Sequence, residues 1–231
     1  NINADITLRG GSLVYQGRLQ SDVSQSVGHV SLNEGYNMIQ TAMSFFSTTS
    51  GGTTTLNSPA SIASTTLNLA SLSRSAGSTA TVRFPDNRQD LVGLTAAIRI
   101  ATLNGVDTTT GTVGAGLTNN LIGPWAVVDR EFASYVPDVG VGRLNQTGFA
   151  GYSANSLTGL GSSAPQATDN IRATGNVGPL FNNTTVNTFA LVNPGAAQTT
   201  VNLGGFQLTL QGGGLLLAHS GDNRNITVTN G

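Results

Sequence analysis

The stretch VNLGGFQLTLQGGGLLLA, residues 201–218, consists of three short apolar segments that glycines separate. Within FQLTLQ the apolar side chains Phe206, Leu208 and Leu210 alternate with polar ones. This two-residue period is typical of a half-buried β-strand and excludes a helix. The flanking glycines supply the positive φ values that sharp turns need. The sequence therefore predicts short strands that tight corners connect.

The beginning of the chain repeats this pattern. ITLRGGSLVYQGR from Ile6 aligns with VNLGGFQLTLQGG from Val201, with matching leucines, glycine pairs and Gln-Gly steps. Weaker copies occur in GHVSLNEGYNMIQ, TTTLNSPASIASTTLNLASLSRSAG and NRNITVTNG. Phe189, Leu208 and Ile226 are expected to be counterparts, because they follow one another at nearly equal intervals. A recurrence of roughly twenty residues with several short strands per repeat predicts an all-β fold built as a β-solenoid.

The shared position of certain residues within these segments predicts which side chains point into the solenoid. The residues expected to face inward are Leu208, Leu210, Leu203, Leu13, Ile6, Leu67, Leu69 and Ile226. Thr209, on the opposite face of its strand, is expected to be open to water.

Charge is scarce along the chain. Charged residues make up 9% of the 231 residues, the formal net charge is −1, and all the basic residues are arginine. Binding of nucleic acid or anionic lipid requires clustered basic residues, so both partners are excluded. Hydrophobic residues still make up 38%, in alternating patterns, so the chain folds. Its Thr, Ser, Asn and Gln suit stacked parallel strands, where like polar side chains share hydrogen bonds without charge repulsion.

The middle of the chain differs from both ends. Residues 84–154 contain the single Trp and a denser set of charges, which predicts an elaborated coil or an excursion between solenoid coils at residues 1–83 and 155–231. We expect these three parts to form one continuous domain. The aromatic side chains of Trp125, Phe132 and Tyr135 are expected to pack this irregular segment against the solenoid wall.

A succession of phrases along the chain resembles a known family. LNLASLSRSAGSTATVRF, GPWAVVDREFASY, GVGRL, ATDNIRATGNV, TTVNTFALV and VNLGGFQLTLQGGGLLL follow one another in the order found in bacterial autotransporter-associated β-strand repeat proteins. The resemblance covers nearly the whole chain. It implies a right-handed parallel β-helix of the passenger type on the bacterial cell surface, associated with the outer membrane. The GxNTYTGxTT-like phrase of the short passenger repeat and the C-terminal translocator barrel are not found in this sequence.

Few residues are candidates for chemistry. His29 and His219 each lie beside a predicted strand, and with no cysteine the usual zinc spacings are excluded. The residues that could form an acid/base pair, a calcium site or the cluster of a polysaccharide-degrading enzyme are Asp86, Arg88, Asp90, Asp129, Arg130 and Glu131. We interpret both groups, the one from Asp86 to Asp90 and the one from Asp129 to Glu131, as solvated loops with local ion pairs. The sequence therefore assigns no catalytic, cofactor or metal residues.

The expected function is a non-enzymatic structural or adhesive one, in a fibre, sheath or spike outside the cell. A polysaccharide-degrading β-helix enzyme is the alternative, and an ice- or crystal-binding solenoid is a third class. Expected partners are other copies docked end to end, further coils of the same chain, and surface glycans. No apolar run approaches the roughly 20 residues of a membrane helix. The chain begins without Met and ends in a strand-like phrase, so we expect an excerpt of a longer or processed protein.

Overall fold

The computed structural model describes residues 3–18, 21–42, 46–50, 53–57, 64–85, 95–109, 117, 120–154, 156–193, 198–219 and 225–230. Strands dominate these residues, no α-helix occurs among them, and the all-β prediction is confirmed. A short 3-10 helix spans Gly161–Ser163. The chain forms two compact units. Unit 1 comprises Asn1–Gly116 and Tyr135–Val141, and unit 2 comprises Leu117–Ser134 and Gly142–Gly231.

Unit 1 is built from two sheets of parallel strands. Its strands are β1 (Ile6–Arg9), β2 (Ser12–Gln16), β3 (Val23–Glu34), β4 (Tyr36–Ala42), β5 (Phe46–Ser50), β6 (Thr53–Asn57), β7 (Ser64–Arg74), β8 (Thr81–Phe84), β9 (Thr95–Ile100), β10 (Thr102–Leu103) and β11 (Val106–Asp107). β1, β3, β7 and β9 pair in parallel, as do β2, β4 and β8. Consecutive strands thus alternate between the two sheets, apart from the antiparallel hairpin β5–β6 and the antiparallel pair β10–β11. We call the stretch that adds one strand to each sheet a pass.

The last four strands of unit 2 repeat this alternation. The remaining strands are β12 (Ala126–Val128), β13 (Glu131–Val136), β14 (Gly140–Arg143), β15 (Asn170–Ala173), β16 (Thr184–Asn193), β17 (Thr199–Asn202), β18 (Leu208–His219) and β19 (Ile226–Thr229). β13 and β14 contain residues of both units. β15, β16 and β18 pair in parallel, and β17 pairs in parallel with β19. β12 and β13 form an antiparallel hairpin.

The pairing register corrects the expected repeat. Leu208 pairs with Thr184, and Ile226 pairs with Thr199. Phe189 pairs with Leu215, farther along β18. The expected correspondence of Leu208 with Phe189 and Ile226 is therefore wrong. The pass from Asn170 to its partner Thr188 has about the expected length, whereas the passes from Thr184 to Leu208 and from Thr199 to Ile226 are longer. One pass contains two strands with similar alternation, so the sequence pattern recurs within a pass as well as between passes.

The inward positions of the predicted strands are confirmed. Leu67 and Leu69 are each 1% exposed. Four of the predicted residues lie in unit 2, where they are half-buried and pack against an apolar cluster. These four are Leu203, Leu208, Leu210 and Ile226. Ile6 and Leu13 are half-buried and pair in register with the fully buried Val30 and Ile39.

The predicted alternation fails at one residue. Phe206 is 38% exposed, whereas Leu208 and Leu210 face the core and Thr209 faces water. The backbone N–H of Phe206 donates to the carbonyl of Leu203 at 3.0 Å, so Phe206 lies in the turn before β18. A side chain in a turn does not share the facing of the strand that follows it.

The two matched glycine pairs of the sequence repeat form equivalent corners. Gly10, with φ of 77°, lies between β1 and β2. Gly204 and Gly205, with φ of 61° and 83°, lie between β17 and β18. Residues with side chains rarely adopt these backbone angles, so glycine sets the corner at both places.

β16 is buried on both faces. Phe189 and Leu191 belong to one apolar cluster of unit 2, and Ala190 and Val192 belong to a second cluster that includes Phe132. Two buried faces explain the continuous apolar run in this strand. Phe132 therefore packs the strand β13 of the middle segment against β16. The other two predicted aromatics are also buried, with Trp125 and Tyr135 being 8% and 3% exposed.

Candidate functional site

The candidate residues of the middle segment separate into different environments. Asp86, Arg88 and Asp90 lie outside the described residues. Asp129 and Arg130 form the two-residue turn between β12 and β13, where Asp129 has a φ of 52°. Arg130 is exposed. Glu131, the third residue of the DRE sequence, is buried instead.

Glu131 is the centre of a buried polar cluster in unit 2. The residue is 5% exposed, and its carboxylate accepts hydrogen bonds through both oxygens. Oε1 accepts from Asn145 Nδ2 at 3.1 Å and from Arg172, whose Nε lies at 2.9 Å and Nη2 at 2.8 Å. Oε2 accepts from the Tyr152 hydroxyl at 2.8 Å. The interpretation of Glu131 as part of a solvated loop is therefore wrong.

The electrostatics of this cluster are those of a neutral, closed network. Burial raises the pKa of the Tyr152 hydroxyl above its ordinary value of 10.0, and the negative charge of Glu131 raises it further. Tyr152 therefore stays protonated and donates its hydrogen bond throughout the physiological pH range. Glu131 and Arg172 compensate each other's charge, as a buried ion pair requires. Four donors thus surround the carboxylate, and its ion pair with Arg172 joins β13 to β15.

His29 belongs to a hydrogen-bonded ladder on the outer face of unit 1. Its Nδ1 contacts the hydroxyl of Ser71 on the neighbouring strand, and Ser73 Oγ lies 3.0 Å from its Nε2. Its backbone N–H donates to Asp5 Oδ1 at 2.8 Å. The aspartate thus holds the backbone and not the imidazole ring, so these residues lack the carboxylate-oriented imidazole of a Ser-His-Asp triad. The side chain of His219 lies outside the described structure.

Asparagine and aspartate side chains connect successive passes. Asn37, fully buried, accepts the backbone N–H groups of Gly10 and Gly11 at 2.9 and 3.3 Å. Its Nδ2 donates to the carbonyl of Thr81 at 3.2 Å, so it touches the passes on both sides. Four further side-chain oxygens accept a backbone N–H from the next pass: Asp5, Asp22, Asn176 and Asn183.

A cavity lies within the described part of each unit. In unit 1, a cavity of about 190 Å³ is lined by Asn68, Arg99 and Asp138 above apolar residues. In unit 2, a larger cavity of about 500 Å³ lies beside β15. Arg172 forms part of its wall, so the Glu131 cluster and this cavity share a side chain.

Sequence reasoning missed the Glu131 cluster and the links between passes. Arg172 lies 41 residues from Glu131, and no local pattern connects them. The hydrogen bonds between passes could have been expected from the Asn and Asp residues near the predicted corners. Among the described residues, no three His, Cys, Asp or Glu side chains gather as metal ligands would. A helix with the length and apolar character of a membrane span is absent from the same residues.

The comparisons with known proteins matched no family model, no curated protein and no solved structure.

Proposed function

We propose that the chain is a right-handed parallel β-helix of the autotransporter-associated passenger type, with a non-enzymatic structural or adhesive role at the bacterial surface. The alternation of strands between two parallel sheets supports this architecture, because each pass then corresponds to one coil. Crossover connections between parallel strands are right-handed in nearly all proteins. The glycine corners and the Asn and Asp links between passes are further support.

The observation that carries the proposal is the apolar surface of the last strands of unit 2. Leu215 and Leu217 of β18 are 52% and 45% exposed, yet they pair in register with the buried Phe189 and Leu191. Val228 of β19, 55% exposed, pairs with the buried Val201. Three columns of core residues thus continue onto a surface that no described residue covers. We call Leu215, Leu217 and Val228 the end surface.

The occupant that fits the end surface is the first pass of a second copy. That pass consists of β1, a glycine corner and β2, which is the arrangement found from β17 through Gly204 and Gly205 into β18. A β1–β2 pair could add to the edges of β18 and β19 as β18 adds to β16. Such head-to-tail contacts do not close, so they generate filaments.

Burial of the end surface alone does not provide enough free energy for two copies to associate. Covering three half-exposed aliphatic side chains contributes about 1 kcal/mol each. Association costs at least about 4 kcal/mol in lost freedom of motion. The difference must come from backbone hydrogen bonds along the edge of β18, each contributing about 1 kcal/mol. Strand addition of this kind is an established mode of protein recognition.

Sedimentation velocity and electron microscopy of the chain test this proposal. We expect concentration-dependent filaments, which Leu217→Asp abolishes because it places a charge in the apolar column. Leu160→Asp is the matched control, since Leu160 is 58% exposed but lies outside the end surface. A wild-type chain that stays monomeric at high concentration would refute self-association. Filaments that survive Leu217→Asp would show that another surface is responsible.

The polysaccharide-degrading enzyme remains the competing function. The engagement of the Glu131 carboxylate by Arg172, Tyr152 and Asn145 supports a structural role for it. Cleavage of a polysaccharide by the wild type, lost in Asp86→Ala or Glu131→Ala, would replace the structural proposal with the enzymatic one.

A further inference from the structure

The cavity of unit 2 has the size and floor of a ligand site. It lies between residues 156–158, β15 and the loop 174–178, and its volume is about 500 Å³. Small-molecule sites in proteins usually occupy about 300–1,000 Å³. Leu157 and Ile171, 3% and 2% exposed, form an apolar floor that belongs to the core of the unit. The floor is therefore held in place by packing that does not depend on a ligand.

The wall of this cavity is rich in uncharged hydrogen-bonding groups. Hydroxyl groups are contributed by Ser156, Thr158 and Thr174. Asn176 also lines the wall, and its Oδ1 accepts the backbone N–H of Thr200 at 2.9 Å. Because that bond fixes the amide, its Nδ2 is the end that remains to donate to a ligand. The wall thus combines hydrogen-bond donors and acceptors.

The cavity is electrically balanced. Arg172 is the charged side chain in its wall, and Glu131 holds the guanidinium through Nε and Nη2. An anionic ligand would compete with a buried carboxylate for this arginine. A cationic ligand would meet the arginine, and none of the described lining residues supplies a carboxylate to offset it. The charge distribution therefore favours a neutral ligand.

We propose that this cavity binds a neutral saccharide. A pyranose ring has an apolar C–H face and a rim of hydroxyl groups, which match the apolar floor and the polar wall. The site goes beyond the structural role proposed above and is independent of the end surface. It gives the protein a defined place for contact with uncharged glycans.

Gly175 provides a way to close the cavity without disturbing the fold. A Cβ at this position meets no atom within 4 Å, and the glycine does not have a positive φ. Gly175→Leu therefore adds an apolar side chain at the wall of the cavity without backbone strain. Thr158→Val removes one hydroxyl at constant shape. Thr185→Val is the matched control, because Thr185 is an exposed threonine of the same unit outside the cavity.

The experiment uses the whole chain on an array of neutral oligosaccharides of hexoses and N-acetylhexosamines, with uronic-acid oligosaccharides alongside. Isothermal titration calorimetry then measures the affinity for the best array ligand. We expect binding to neutral glycans, a loss of at least about 10-fold in Gly175→Leu, and a loss of about 5–10-fold in Thr158→Val. Thr185→Val is expected to bind as the wild type does.

Three outcomes would overturn the saccharide site. They are no binding of any neutral glycan at about 1 mM, a preference for uronic acids, and wild-type affinity in Gly175→Leu. Circular dichroism verifies that each variant is folded. Sedimentation velocity separates this site from the proposed function, because Gly175→Leu leaves the end surface intact and Leu217→Asp leaves the cavity intact.

Discussion

Removing the arginine of the Glu131 cluster is the sharpest test of how unit 2 is stabilised. Arg172→Ala takes away two N–H donors, at 2.9 and 2.8 Å, and the positive charge that offsets the carboxylate. Glu131 would then remain buried, with Tyr152 and Asn145 as its donors. Breaking a buried ion pair from one side costs about 3–5 kcal/mol, because it leaves an uncompensated charge. The side chain of Arg172 is 25% exposed, so we expect the lower half of this range.

Urea unfolding measured by tryptophan fluorescence gives the free energy. Trp125 is the single tryptophan of the chain, is 8% exposed and lies in unit 2, so it reports on the unit that is changed. With a urea dependence of about 2 kcal/mol/M, a loss of about 3–4 kcal/mol lowers the unfolding midpoint by about 1.5–2 M.

A control variant and a double variant show whether Arg172 stabilises unit 2 through its charge or through its packing. Arg130→Ala removes an exposed arginine next to Glu131 and should change stability by less than about 0.5 kcal/mol. Adding Glu131→Gln to Arg172→Ala should recover part of the loss, since an amide is easier to bury than a carboxylate. A loss in Arg172→Ala no larger than that in Arg130→Ala would refute the reasoning. A double variant no more stable than Arg172→Ala would show that packing, and not charge, is what the arginine supplies.

Four further predictions concern stability. Asn37→Ala removes the fully buried amide that bonds backbone groups of two neighbouring passes, and it should cost at least about 2 kcal/mol, measured by urea unfolding followed with circular dichroism. Leu208→Asp should lower the melting temperature far more than Thr209→Asp, and equal losses would contradict the register. The hydrogen bonds of Asp22 to a serine hydroxyl and backbone N–H lower its pKa, so its stabilising contribution is present above the unfolded value of 3.8 and is lost as pH falls below it. Acid denaturation of Asp22→Asn should lack this contribution, and identical acid curves for the two proteins would contradict it. The raised pKa of Tyr152 means that unit 2 loses stability as pH rises above 10.0, whereas Tyr152→Phe, weaker at neutral pH, should lack this alkaline loss.

The local strands could be predicted from the sequence because alternation is a local property. Residues such as Leu67 and Leu69 face the core as the two-residue period requires. The pairing of strands could not be predicted in the same way, because it depends on how much chain lies between them. Val23 of β3 pairs with Thr65 of β7, which lies much later in the chain because the hairpin β5–β6 comes between them. An insertion of this kind destroys a constant sequence period without disturbing the parallel stack.

The burial of Glu131 in the candidate site could not be predicted from the local sequence either. A glutamate beside an exposed turn, as in Asp129-Arg130-Glu131, has the sequence surroundings of a solvated residue. Its burial depends on Arg172 and Tyr152, which the fold brings from 41 and 21 residues away. Composition, by contrast, correctly indicated that Asn and Thr side chains share hydrogen bonds between neighbouring parallel strands, as Asn170 of β15 does with Asn187 and Thr188 of β16.

The scarcity of charge follows from the stacking of strands. Neighbouring strands lie about 4.8 Å apart, and two like charges at about that distance repel by roughly 1 kcal/mol in water and several times more near a protein surface. A charge repeated in every pass would incur this repulsion at each step. Where described strands carry charges, their register partners are neutral or opposite, as in Arg9 with Glu34, Asn68 with Arg99 and Leu32 with Arg74. A stack of this kind can therefore be lengthened pass by pass, provided that its links are amides and hydroxyls and its charges occur singly or as compensated pairs.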